Sequence, residues 1–257
     1  MVRAVEHAGV RAAITAVVKG VPTVGLAGDD LERFLRREGI QKVSARDLAP
    51  AMARGLDGAT TVAATLVLAS RAGIEVFATG GIGGVHRGAP FDESADLAEL
   101  ARTPMIVVCA GAKSILDLPA TWERIESHGI PVIGYRTLEL PGFFTAETGI
   151  QLAASADTAD QIVSIWTAHR SLGRPQSLLV VQPPPREQAL SREIVEVAVA
   201  QAQKDAARDG VEGAAVTPFL LAAVSRSTNG GSLAANLALL EQNAKLAGEI
   251  AQRLGSR

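Results

Sequence analysis

Cysteine is almost absent: Cys109 is the single one in 257 residues, which excludes an internal disulfide framework and any cysteine-cluster zinc site. Long apolar runs are missing too. Although mean hydropathy is positive, at +0.20, apolar stretches are cut by Gly, Pro or charge after about five to eight residues, well short of a membrane span. Nor is there a positive excess. With 25 Lys+Arg against 27 Asp+Glu, the net charge of −2 gives no basis for nucleic acid as the main partner. The N-terminus has no apolar stretch followed by a small-residue cleavage site, so the expectation is a cytoplasmic protein with no membrane association. Lysine is scarce as well, at five residues against 20 arginines. A lysine in an apolar, glycine-rich setting then raises the question of why arginine would not serve; only lysine becomes a neutral amine nucleophile near neutral pH.

What is present is a hydrophobic fraction of 47%, enough for a sizeable core, and an alternation of short apolar runs with amphipathic segments. Strands are predicted at 13–18, 23–26, 42–44, 76–79, 105–109, 132–135 and 178–181, several of them apolar throughout, as strands buried on both faces are. Helices are predicted at 29–39, 60–72, 95–102, 121–128, 159–172, 193–209 and 232–254, with the Pro183-Pro184-Pro185 run separating the last strand from the final helices. The expectation is a single α/β domain over residues 1–257: three layers, α/β/α, with a largely parallel central sheet and a helical C-terminal portion.

Three segments carry chemistry. Residues 80–88 hold five glycines directly after a strand, so the backbone can approach a ligand closely at the carboxyl end of the sheet. A tight turn without a ligand is the alternative; His86 and Arg87 on the loop favour an anionic ligand. Next, Asp92, Glu93 and Asp96 place three carboxylates in five positions. Ser94 reads blandly as a helix cap, and the acids read as an oxygen-rich set suited to Mg²⁺ or Mn²⁺. Third, Lys113 stands on a turn with only small or apolar residues on its N-terminal side. It reads either as a partly desolvated amine able to attack a carbonyl carbon or as a lysine that caps a carbonyl or snorkels to solvent. Lys42 suits a phosphate, or is an exposed strand-edge lysine. Cys109, after four apolar residues and with no base beside it, reads as a core thiol.

The strings KVSARDL (42–48), GATTVAATL (58–66), VFATGGIGGVHRGA (76–89), FDESADL (91–97), VVCAGAKSILDL (107–118), GIPVIGYRT (129–137) and TPFLL (217–221), with SLAAN at 232–236, closely resemble the pseudouridine-5′-phosphate glycosidase family, also called the indigoidine synthase A family. The resemblance implies reversible cleavage of the carbon–carbon glycosidic bond of pseudouridine 5′-phosphate, giving uracil and ribose 5-phosphate. It implies a divalent cation, Mn²⁺ or Mg²⁺, and a homotrimer whose partner is a small nucleotide or sugar phosphate. Lys113 is then the Schiff-base nucleophile and Asp92 the metal ligand. Lys42, Val62, Ser94, Ala95 and Asp96 are substrate contacts, with Thr79, His86 and Asn236 further pocket residues. The family's N-terminal strand and its Ala-Leu-Glu-Ser-Thr motif, whose glutamate donates the proton for ring opening, have no match in the chain. A late start codon or a truncated chain is the favoured account, a divergent protein without the activity the other. Ala45 and Gln182 also depart from the family pattern, by substrate contact or by packing. Related chemistry on another C-ribosyl compound and non-catalytic ribose-phosphate binding are the alternative functions.

Overall fold

The computed structural model describes residues 1–256, apart from the side chains of residues 90 and 214. The first third of the chain runs α1 (Val2–Glu6), β1 (Thr15–Val18), β2 (Val21–Val24), α2 (Gly28–Arg36), β3 (Gln41–Val43), α3 (Leu48–Ala53), β4 (Gly58–Thr60) and α4 (Val62–Arg71). Its strands form a mixed four-stranded sheet in the order β2-β1-β4-β3. The sequence reading expects these strands in one central sheet and does not include β4, of which only Thr60 falls within its predicted helix at 60–72. Three small residues carry no periodicity, and β4 is a strand because it pairs with both β1 and β3. Between β1 and β2 the chain turns on Lys19 and Gly20, both at positive φ (49° and 80°), the two-residue geometry that matches strand twist. Gly20 has no substitute there: a Cβ would lie 2.6 Å from the Met52 carbonyl oxygen.

The rest continues β5 (Val76–Ala78), β6 (Val85–His86), β7 (Ala89–Glu93), α5 (Ala95–Leu100), β8 (Ile106–Cys109), α6 (Leu118–Ser127), β9 (Val132–Tyr135), β10 (Ser155–Ala156), α7 (Ala159–Ser171), β11 (Leu178–Val181), α8 (Arg192–Arg208), α9 (Val216–Ser227) and α10 (Gly231–Gly255). Five of these strands make an all-parallel sheet in the order β10-β9-β11-β8-β5. Alternation along its buried strands builds the three layers. Val107, Cys109, Leu179 and Val181 face a core shared with Leu100 of α5, Ile125 of α6, Val199 of α8 and Val224 of α9. Ile106, Val108, Leu178 and Val180 face Ile162, Val163 and Trp166 of α7 and Leu246 and Ile250 of α10. The three-layer α/β/α arrangement therefore stands.

Helix α4 joins the two sheets, which explains why it is apolar nearly all round. Ala64 and Leu68 pack with Val17 and Val43 of the mixed sheet, while Val62, Leu66 and Ala69 belong to the core under the parallel sheet. Thr61 caps it, its hydroxyl accepting from the Ala64 N–H. No helix among the described residues is long and apolar enough to cross a membrane. Along the outer edge of β5, an apolar cleft of about 770 Å³ opens between α4, α10 and the approach to β1.

Candidate active site

Strands β5, β8 and β11 lie side by side and parallel, so the loops that follow them meet at one end of the sheet, where ligands collect in such folds. The glycine loop after β5 and the Lys113 loop after β8 are zipped together. Ala110 N–H donates to Gly80 O (2.9 Å), Ile82 N–H to Gly111 O (3.1 Å) and Lys113 N–H to Ile82 O (3.1 Å). Gly111 sits at φ +85°, and a Cβ there would lie 2.2 Å from the Pro141 carbonyl oxygen. This clamp sets the half-buried Lys113 across the loop, its Nζ donating to Gly81 O at 2.8 Å.

The surroundings of that amine oppose its charge. Burial lowers its pKa below the usual lysine value of 10.5; the Asp96 and Cys109 charges act upward and the Lys42 charge downward. The lysine that caps a carbonyl and the desolvated amine are thus the same residue. Burial also pushes the Cys109 thiol up to about 12, which keeps it an inert core group.

Asp96 organises the next part. It is 5% exposed, and its carboxylate accepts from two backbone N–H groups far apart in sequence: Ala63 at the start of α4 (2.9 Å) and Gly83 in the glycine loop (2.8 Å). Ser94 caps α5, its hydroxyl accepting from Asp96 N–H (3.2 Å), and its own N–H donates to Gly84 O (3.0 Å). The capping role read from sequence holds, and the cap also ties α5 to the glycine loop. Here glycine is required sterically: a Cβ on Gly83 would lie 2.2 Å from Ser94 Oγ and 2.9 Å from Asp96 Oδ2. Gly83→Ala is expected to lower stability by about 1–3 kcal/mol through overpacking. It should weaken ribose 5-phosphate binding as well, as thermal unfolding and calorimetric titration would measure.

Of the other residues singled out from sequence, Lys42 is exposed on β3, close enough for its charge to act on Lys113. Val62 and Thr79 line the β5 cleft. Asn236 reaches over the glycine loop, its Oδ1 3.4 Å from where a Gly80 Cβ would stand. Ala95 is exposed at the first turn of α5. His86 lies on the short hairpin of β6 and β7, paired with Ala89. Asp92 is exposed on the same hairpin, and among the described residues no group of three or more His, Cys, Asp or Glu is placed to hold a metal. Asp92 is a single carboxylate donor and belongs to no such group. That donor fits only a hard cation that keeps most of its water, as Mg²⁺ and Mn²⁺ do at sites shared with a phosphate.

Arg87 corrects the sequence reading. Rather than facing an anionic ligand, it makes a two-pronged pair with Glu196 of α8 (2.6 and 2.9 Å) and donates to the Ser114 and Leu116 carbonyls. It fastens the hairpin to α8 and holds the Glu196 carboxyl below the usual range. One residue of the site's frame, Asn243, has no part in the sequence reading, and Gln182 enters it only as a departure from the family pattern. Asn243 and Gln182 are buried and hydrogen-bonded to each other (3.0 Å). A signal existed for Asn243, which takes an apolar position in the series Leu239, Asn243, Leu246, Ile250 along α10.

A family model described as "Indigoidine synthase A like protein" matches residues 1–253. The chain belongs to the indigoidine synthase A-like family. It is an enzyme of the glycosidase and lyase kind. A pseudouridine-5′-phosphate glycosidase of Gemmatimonas aurantiaca is 61% identical over 254 residues, which cover 99% of this chain and 83% of that protein. One from Herpetosiphon aurantiacus is 50% identical over 252 residues, 97% of this chain and 83% of the relative. Among indigoidine synthase A-like folds of known structure, the Thermotoga maritima protein superposes with a TM-score of 0.91 at 38% identity, covering 98% of this chain and 85% of its own. The prealnumycin C-glycosynthase AlnA, solved with ribulose 5-phosphate, gives a TM-score of 0.92 at 40% identity, covering 99% and 84%.

Proposed function

We propose that this enzyme cleaves, reversibly, the C–C glycosidic bond of pseudouridine 5′-phosphate, giving uracil and ribose 5-phosphate, with Lys113 as the covalent nucleophile. The observation that carries the reading is the Lys113 amine: clamped at the carboxyl end of the parallel sheet, desolvated, and held toward the Gly81 carbonyl. A C–C bond leaves no basic nitrogen on the departing base, so protonation alone does not break it. In the proposed course the neutral amine bonds to C1′ as the C1′–O4′ bond opens and O4′ takes a proton. The adduct nitrogen loses its proton. Its lone pair then forms the C1′=N iminium while C5 of uracil is protonated and the C1′–C5 bond breaks. Water adds to the iminium and frees the lysine and open-chain ribose 5-phosphate. Lys42 supplies a positive charge for the phosphate. Asp96 and Ser94 shape the loop around the sugar, with Ala95, Val62, Thr79, His86 and Asn236 as further contacts. A Mn²⁺ or Mg²⁺ ion on Asp92 would bring further positive charge to a bound phosphate. The same reading carries a cytoplasmic homotrimer.

The AlnA likeness supports a second reading, the same lysine chemistry on another C-ribosyl compound. Gln182 does not favour it, because its side chain is committed to Asn243 and Gln242; its departure from the family pattern is a matter of packing. The deciding experiment incubates the protein with pseudouridine 5′-phosphate and Mn²⁺ and follows uracil by chromatography. Release of uracil and ribose 5-phosphate in equal amounts is expected. Its absence in a folded protein that still forms a lysine adduct with ribose 5-phosphate would transfer the assignment to another C-ribosyl substrate.

A further inference from the structure

The start of the glycine loop, Thr79–Gly81, is held from two sides, and a side-chain hydrogen bond holds one of them. On the Lys113 side, the Gly80 carbonyl accepts from Ala110 N–H, and Gly81 is pressed against Phe143 and the Gly111 carbonyl so closely that a Cβ would lie 2.6 Å from the Phe143 ring. On the other side stands one side chain. Asn243, 0% exposed on α10, donates through Nδ2 to Thr79 O at 2.8 Å, with Gly80 O at 3.5 Å. Its Oδ1 accepts from Gln182 Nε2 (3.0 Å), and Gln182 Oε1 accepts from Gln242 Nε2 (2.8 Å). Gln242 Nε2 lies 3.2 Å from the Pro183 carbonyl as well. The chain of amides has a direction. Gln182 must turn its oxygen to Gln242 and its nitrogen to Asn243, which leaves Asn243 only its nitrogen for the loop. Gln182 is itself fixed by its N–H on Cys109 O (3.1 Å), so the relay begins on the strand next to the nucleophile's own.

We infer that Asn243 is a positioning residue for the Lys113 amine: oriented by Gln182 and Gln242, it holds the Thr79–Gly80 peptide and thereby places the Gly81 carbonyl that receives Lys113 Nζ. This rests on the proposed role of Lys113. A buried polar relay is favourable when every member is satisfied, and among the described residues no buried side-chain polar atom lacks a partner. Meeting the Thr79 carbonyl's need for a donor would take a single side chain. Three amides in series go further, since they also fix which end of Asn243 faces the loop.

The test measures borohydride trapping of ribose 5-phosphate on Lys113 across pH, beside thermal unfolding. Asn243→Leu removes the donor, and Gln242→Ala, at the half-buried end of the relay, leaves that donor in place while removing the orienting bond and the contact with the Pro183 carbonyl. The charged and titratable groups facing the amine, Asp96 of α5, Cys109 of β8 and Lys42 of β3, are unchanged in both variants. Below both melting temperatures, Asn243→Leu is expected to slow trapping about tenfold or more, the cost of a misplaced reacting group. Water reaching the loosened amine should move the pH midpoint upward, toward that of an ordinary lysine. Gln242→Ala should do the same to a smaller degree. If Asn243→Leu does not fold, the Gln242→Ala result decides. Lower melting with an unaltered trapping rate and midpoint would overturn the inference, leaving Asn243 as a cap on a carbonyl. Failure of the unaltered protein to form any adduct would instead remove the Lys113 reading, and this inference with it.

Discussion

Lys113→Met is expected to abolish the reducible adduct with ribose 5-phosphate, to lower turnover by more than about 10³-fold, and to raise the melting temperature. The first two effects follow from the chemistry: no other lysine stands on these loops, and a thioether cannot form an iminium. The third follows from linkage. The amine's pKa in the folded protein lies below its unfolded value, so the folded state disfavours the ammonium form. Stability is therefore reduced throughout the range below the folded-state value, where both states are charged. It recovers as pH rises from there to the ordinary lysine value, and no cost remains above it. Methionine carries no charge, so its variant should be the more stable protein at neutral pH, and the difference should close in alkali. Unfolding curves at neutral and alkaline pH check this. Equal stability at both would show that the amine is not strained by burial.

Asp96→Asn is expected to lower stability by about 3 kcal/mol and turnover by about 10²-fold. The carboxylate accepts from Ala63 N–H with one oxygen and from Gly83 N–H with the other. An amide keeps one acceptor and turns its NH₂ against the second N–H, leaving a buried donor facing a donor. Either α4 or the glycine loop loses its hold. The same change removes the negative charge that raises the Lys113 pKa. The pH midpoint for trapping should therefore move down while turnover falls. A midpoint that moves up would mean that the loop has opened to water and that this outweighs the lost charge.

Lys113 was legible in the sequence because its neighbours are small or apolar and lysine is rare in this chain. Ser94 was legible as a cap because capping is local. Asp96 was not legible as the link between α4 and the glycine loop, since that depends on α5 packing beside α4, 33 residues earlier in the chain. Arg87 was misread for a similar reason: its partner Glu196 lies 109 residues away, on a helix whose docking no local pattern reveals. In the fold, the buried parallel strands announced themselves as apolar runs. Strand β4 and the two-residue strand β10 did not, because pairing rather than composition makes them strands. Helix α9 was missed because Pro218 is its third residue, compatible with a first turn but easily read as a break.

The most direct test of the central claim is borohydride reduction of the unaltered protein with ribose 5-phosphate, followed by peptide mass mapping. The account predicts one reduced pentose-phosphate adduct, on the peptide that contains Lys113, forming well below the pH at which an ordinary lysine reacts. A folded protein that yields no adduct, or one spread over Lys19, Lys42, Lys204 and Lys245 as readily as over Lys113, would contradict it.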